Sequence, residues 1–153
     1  MRITAIESQA NSAERVNVYV DGEFRCGVAF ELVRRAGLRS GDRVDAATLE
    51  RLEREDLAWK AREAAYSLLA YRARTRWELR RRLSRKGFPE AVVEATVDAM
   101  VEKGYVDDAS FAASFARDRV RLRPSGPRRI VRELRAKGVA AEVAGPIVEE
   151  VFA

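Results

Sequence analysis

Seventeen of the 29 lysines and arginines in this chain fall in two short stretches. Residues 72–86 hold Arg72, Arg74, Arg76, Arg80, Arg81, Arg82, Arg85 and Lys86 against Glu78 alone, and residues 117–137 hold nine cations against Asp118 and Glu133. Arginine in such density suits bidentate contacts to carboxylate or phosphate, for which its planar fork of donors is shaped. At about 100° per helical residue, Leu79 and Leu83 define one buried face, with Trp77, Arg81 and Arg85 nearly opposite. In the second stretch Ile130 and Leu134 point inward, and Arg128, Arg132 and Arg135 point outward. These six outward residues are the candidate partner-binding set. The competing reading is a solvated basic face, because many surface charges contribute nothing measurable. Trp77 could stack on a base or an aromatic partner, or pack against a neighbouring part of the chain.

Other chemistry is sparse. Asp107-Asp108 is an adjacent carboxylate pair, but acids at a helix start more often cap it and complement its dipole than hold a metal. Histidine is absent and Cys26 is the single cysteine. That removes the commonest general base and the usual zinc ligand sets. No glycine-rich phosphate loop is present. No catalytic residue, cofactor or metal site is therefore expected, and Cys26 is read as a buried strand residue.

Hydrophobic residues at 47% and charged residues at 35% describe a folded chain with a heavily solvated surface. No apolar run is long enough to span a membrane, and the start MRITAIES lacks the apolar core of a secretory signal. With one cysteine, a reducing, cytoplasmic setting is expected. Charge is uneven: residues 1–57 carry nine Lys/Arg and eleven Asp/Glu, net −2, while residues 58–153 carry twenty against thirteen, net +7. A basic C-terminal part points to an acidic partner, either nucleic acid or protein.

The elements that must position these residues begin with strands. Ile3 to Glu7 is short and apolar-rich, and Val16, Val18 and Val20 alternate with polar neighbours. Asp21-Gly22 between two such runs signals a type I′ hairpin, with Glu23 to Val28 as the returning strand. A helix over Phe30 to Ala36 should stop at Gly37. From Ala46 on, the sequence reads as helix. One segment runs from Ala46 to Arg54 and another from Ala58 to Arg72. Thr75 with Glu78 forms a capping box opening a helix that ends at Gly87. Pro89 suits the first position of the next, which ends at Gly104. Asp107 or Asp108 opens a helix carrying Phe111, Ala112 and Phe115, Pro124-Ser125-Gly126-Pro127 breaks it, and two further helices follow. Phe88 and Tyr105, just after glycines, are placed to pack back on their helices.

The helices repeat. A shift of 51 residues lays Leu79, Leu83, Lys86, Gly87, Val92 and Val97 on Ile130, Leu134, Lys137, Gly138, Val143 and Val148. Each copy is three helices, and such units bury their apolar faces on their neighbours. The expected architecture is mainly α: a small antiparallel sheet with a short helix (1–45), a connecting helix (46–57), and two three-helix repeats (58–104 and 105–153).

The fragments TRWELRRRLSRKGFP at 75–89, KGYVDDASFA at 103–112 and GPRRIVRELRAKGV at 126–139 resemble the RecX family, regulators of the RecA recombinase. VNVYVDGEF at 16–24 and AGLRSGD at 36–42 are similar to the sheet segment of longer members. The likeness spans nearly the whole chain, and the order and spacing of the fragments make it specific. It implies tandem three-helix repeats lying along the groove of a RecA filament on DNA, limiting filament growth and damping strand exchange, ATP hydrolysis and the co-protease activity behind the SOS response. It implies no catalysis and no cofactor, and a RecA filament as partner with single- or double-stranded DNA in reach; the chain itself is expected to be a monomer. The sequence carries two repeats where many relatives have three, which bears on the length of filament covered. Gly145-Pro146 also interrupts the last helix, where proline removes a hydrogen bond at about 3 kcal/mol unless the helix kinks or starts late. A stand-alone nucleic-acid-binding repeat protein is the alternative, with strongly salt-dependent affinity.

Overall fold

The computed structural model describes residues 1–122 and 125–153. Arg123 and Pro124 lie outside the described residues, so the break predicted from Pro124 is seen only from Ser125 onward. Three strands, β1 (Ile3–Gln9), β2 (Ser12–Val20) and β3 (Glu23–Ala29), are followed by seven helices. These are α1 (Phe30–Ala36), α2 (Ala46–Tyr71), α3 (Arg76–Arg85), α4 (Glu90–Glu102), α5 (Asp108–Leu122), α6 (Pro127–Ala136) and α7 (Ala141–Phe152). The chain divides into two compact units, Met1–Lys60 and Ala61–Ala153.

In the first unit the strands form an antiparallel meander in the order β1-β2-β3. Asp21 (φ 49°) and Gly22 (φ 83°) both take the positive φ that a type I′ turn demands. The register sets Ile6 opposite Val18 and Val18 opposite Cys26, so one face carries the buried side chains of Ile3, Val16, Val18, Val20, Cys26 and Val28. A three-stranded sheet with one apolar face needs a cover. Leu32 and Val33 of α1 and Leu49 and Leu52 of α2 supply it. Asp56 fastens this layer: its buried carboxylate accepts the Ala29 N–H at 2.9 Å and both terminal nitrogens of Arg15 at 3.2 and 2.9 Å.

One expectation fails here. The helices read over 46–54 and 58–72 are a single 26-residue helix, α2. No Gly or Pro interrupts 46–71, and Glu53 and Asp56, at the expected junction, form ion pairs with Arg25 and Arg15.

In the second unit the repeat is explicit. Helices α3 (76–85) and α6 (127–136) have identical limits under the 51-residue shift. Leu79, Leu83 and Val97, and their counterparts Ile130, Leu134 and Val148, are all buried. Each copy has its own apolar cluster: Ala65, Leu68, Val93, Met100 and Val106 join the first, and Ala112, Ala116, Val139 and Ala144 the second. Pro146 lies inside α7, whose first residue is Ala141, and has no N–H to offer Glu142. Pro89 is the residue before α4 rather than its first, its carbonyl accepting the Val93 N–H. Tyr105 does not fold back on α4. It is 59% exposed and stands edge-on to Tyr66 of α2 at 5.8 Å, leaving Val106 to fill the core.

Candidate partner-binding surface

The surface starts at Thr75, the fully buried residue that opens α3. Its hydroxyl accepts the Glu78 N–H, and the Glu78 carboxylate accepts the Thr75 N–H, at 3.1 Å each. Burial raises the pKa of Glu78, but the Arg72 guanidinium and the Thr75 N–H outweigh it, so its carboxyl lies below the ordinary range. The same Thr75 hydroxyl donates to the Lys137 carbonyl at 2.5 Å, and the Arg76 N–H donates to the Asp108 carboxylate at 2.9 Å. The N-terminal turn of α3 is thus tied to the start of α5 and to the end of α6.

Trp77 completes that junction. Gly138 has φ +90°, and a Cβ built there would lie 2.1 Å from the Trp77 Cβ. Trp77, 37% exposed as a residue, is therefore packed on the second repeat through its Cβ and the near edge of its ring, and the ring carries the Arg81 guanidinium at 4.6 Å.

The cations of the first cluster separate into three groups. Arg72 pairs with Glu78 at 3.1 Å, Arg80 with Glu94 at 2.6 Å and Arg76 with Asp98 at 3.6 Å. Arg74 is buried and donates from Nε to the Leu68 carbonyl. Arg81, Arg82, Arg85 and Lys86 are exposed and have no ion pair among the described residues. In the second cluster Arg119 and Arg129 share Glu133, and Arg121 pairs with Asp118. Lys137 lies 5.6 Å from the Phe115 ring. Arg128, Arg132 and Arg135 are exposed and unpaired among the described residues.

The six outward residues read from the sequence thus divide into one ring, Trp77, and five exposed arginines, of which Arg81 is held over that ring. Under the 51-residue shift Trp77 coincides with Arg128 and Arg81 with Arg132, whereas Arg85 and Arg135 are one position out of step. Helical spacing could not reveal that Arg80 is neutralised by Glu94, fourteen residues away on α4. Nor did it set Arg82 and Lys86 apart from the rest of their cluster, although their i, i+4 spacing on the flank of α3 was readable.

The acidic pair has structural work. Asp107 caps α5, accepting the Ser110 N–H at 3.1 Å, which holds its carboxyl below the usual range. Asp108 accepts the Arg76 N–H across the repeats. Among the described residues no group of three or more His, Cys, Asp or Glu is placed to hold a metal. None of their helices is long and apolar enough to cross a membrane. Cys26 is buried in β3, where burial first and then Glu53 raise its thiol pKa against the opposing charge of Arg25.

Three family descriptions match the chain: the regulatory protein RecX N-terminal domain over residues 1–45, the RecX first three-helix domain over 61–100 and the second over 107–145. The chain is 32% identical over 142 residues to the regulatory protein RecX of Clostridium botulinum, covering 93% of this chain and 66% of the relative. It is 27% identical over 150 residues to that of Listeria monocytogenes, covering 98% and 56%. It therefore spans between about half and two thirds of the length of these relatives. A crystal structure of a regulatory protein RecX superposes with a TM-score of 0.81 at 26% identity, covering 99% of this chain and 74% of that one.

Proposed function

Because the chain belongs to the RecX family of regulatory proteins, we propose that it acts by binding the filament that RecA forms on DNA, restraining its growth and its recombinase and co-protease activities. In this reading it modulates recombination and the SOS response from the cytoplasm, as a monomer and without catalysis. One observation carries the proposal. Arg85, Arg128, Arg132 and Arg135 are exposed without an internal partner among the described residues, and Arg81 is held over Trp77. They lie on helices with identical limits in two successive repeats. Unpaired arginines on equivalent helices are suited to an acidic partner that itself repeats, as a filament does. No step of chemistry is invoked, since Asp107 and Asp108 are both committed to backbone N–H groups.

The test is RecA's DNA-dependent ATP hydrolysis, with the wild-type chain and with Arg81, Arg85, Arg128, Arg132 and Arg135 all changed to Glu. The variant should fold, with stability changed by roughly 0.5 kcal/mol or less per site, and should inhibit far less. Full inhibition by the folded variant would reduce the arginines to a solvated surface. Stand-alone nucleic-acid binding is separated by inhibition itself: it predicts that loss of naked-DNA binding abolishes every effect on RecA.

A further inference from the structure

A second basic feature lies on another flank of α3. Arg82 and Lys86, with Arg72, Arg74 and Tyr71 at the end of α2, line an open cleft of about 700 Å³ that contains one carboxylate, Glu63. Two of these residues mark it as more than a charged surface. Arg74 is only 5% exposed, yet its two terminal amino groups meet no acceptor among the described residues; its Nε alone is used, on the Leu68 carbonyl at 3.2 Å. A largely buried guanidinium that keeps two amino groups without a protein acceptor is costly unless solvent or a ligand supplies one. Its surroundings, burial first and then Arg72 and Arg82, lower its pKa from the ordinary value. Tyr71, also in the lining, is 83% exposed, an aromatic ring that takes no ring or cation contact among the described residues. The feature is not generic to the repeat. The 51-residue shift places Ser125 and Glu133 where the first copy has Arg74 and Arg82, and Leu122 in place of Tyr71.

We infer that this cleft is a binding site for a phosphate group that carries an unstacked nucleobase, the phosphate held by Arg74, Arg82 and Lys86 and the base laid on Tyr71. Arg74 presents a fork of donors matched to two phosphate oxygens. Lys86 and Arg82 add charge from one helix turn, and Arg72 is steadied in the wall by Glu78 at 3.1 Å. An aromatic side chain accepts any base by its π-face, so the site selects unpaired nucleotides rather than a sequence. An acidic protein segment could satisfy the cations but would leave Tyr71 unused. The inference does not rest on the filament reading, because none of the five outward arginines lines the cleft and the probe is free of RecA.

The test is fluorescence anisotropy of a labelled oligothymidylate and of a duplex of the same length, titrated with the full chain at one salt concentration. The single strand should bind more tightly than the duplex. Tyr71→Ala should weaken the single strand by roughly five- to a hundredfold, the range for losing one base–aromatic stack, and leave the duplex as it was. Arg82→Glu with Lys86→Glu, both at exposed positions, should weaken it about tenfold or more. Arg74 is left intact because its Nε also holds the end of α2. The five-site arginine variant should keep the single-strand preference, which separates failure of this site from failure of the filament reading. Thymidine monophosphate as competitor distinguishes the two sources of the ligand. Displacement shows that a single nucleotide suffices, and its absence shows that a strand is required; either outcome supports the site. Wild-type affinity in a folded Tyr71→Ala chain would overturn it, as would displacement of the oligonucleotide by polyglutamate as effective as that by unlabelled strand.

Discussion

Gly138→Ala should destabilise the second unit more than Gly87→Ala, although the two positions are repeats of one another. Both glycines have φ near +90°, so an alanine at either carries the left-handed penalty of roughly 1–2 kcal/mol. Gly87 has nothing within 4 Å of a built Cβ, whereas at Gly138 that atom would lie 2.1 Å from the Trp77 Cβ and 2.6 Å from its Cγ. A Cβ cannot swing aside by changing rotamer, so α3 must back away from α6. That movement stretches the Thr75–Lys137 and Arg76–Asp108 bonds at the same junction. Overpacking of this kind costs roughly 1–3 kcal/mol, giving a total of about 2–5 kcal/mol for Gly138→Ala. Urea denaturation followed by helical circular dichroism measures both variants. Trp77→Ala should give no relief, since the offending Cβ remains. Trp77→Gly should recover the steric part in a double-mutant cycle. Equal losses for Gly87→Ala and Gly138→Ala would show that α3 does not rest on Gly138, and the described junction between the repeats would be wrong.

Three further outcomes are expected. Thr75→Ala removes the α3 cap and the bond to Lys137 and should cost about 2 kcal/mol by the same denaturation, with Thr75→Ser recovering most of it. Asp56→Ala leaves the Ala29 N–H without its acceptor and Arg15 with the Gly27 carbonyl alone and should cost about 3 kcal/mol in the first unit, read as early loss of hydrogen-exchange protection in β2 and β3. Acid should act through depressed carboxyls: Glu78 and Asp107 lie below their ordinary values, and Glu31, beside Arg34 and Arg35, is lowered to about 2. Their contribution is complete above the unfolded value of roughly 4 and is lost as pH falls through each folded value. A pH series of denaturation midpoints should therefore decline below about 4, and Glu78→Gln should flatten part of that decline.

Local rules made much of the fold legible. Asp21-Gly22 named its turn, Thr75 and Glu78 their capping box, and the 51-residue self-match the exact correspondence of α3 with α6. Each of these depends on residues within a few positions of one another or on periodicity. The continuity of α2 was missed between Arg54 and Ala58, and only contact with Arg25 and Arg15 on the strands shows why Glu53 and Asp56 stand there. Tyr105 has the sequence position of a residue folding back on its helix, yet a tyrosine ring has a better partner in Tyr66. For the candidate surface, helical geometry gave the outward direction of Arg81, Arg85, Arg128, Arg132 and Arg135. It could not show which cations are neutralised across helices, nor that Trp77 is divided between packing on Gly138 and carrying Arg81.

Binding to a preassembled RecA filament on single-stranded DNA tests the central claim most directly. The wild-type chain and the variant carrying Arg81, Arg85, Arg128, Arg132 and Arg135 as Glu would be compared on filament, on RecA alone and on the DNA alone. Wild type should bind the filament more tightly than either component. The folded variant should bind it at least about thirtyfold more weakly, the lower end expected when a desolvated interfacial charge pair loses one partner. Equal binding of the two proteins to the filament, or wild-type binding no tighter than to the bare DNA, would contradict the account.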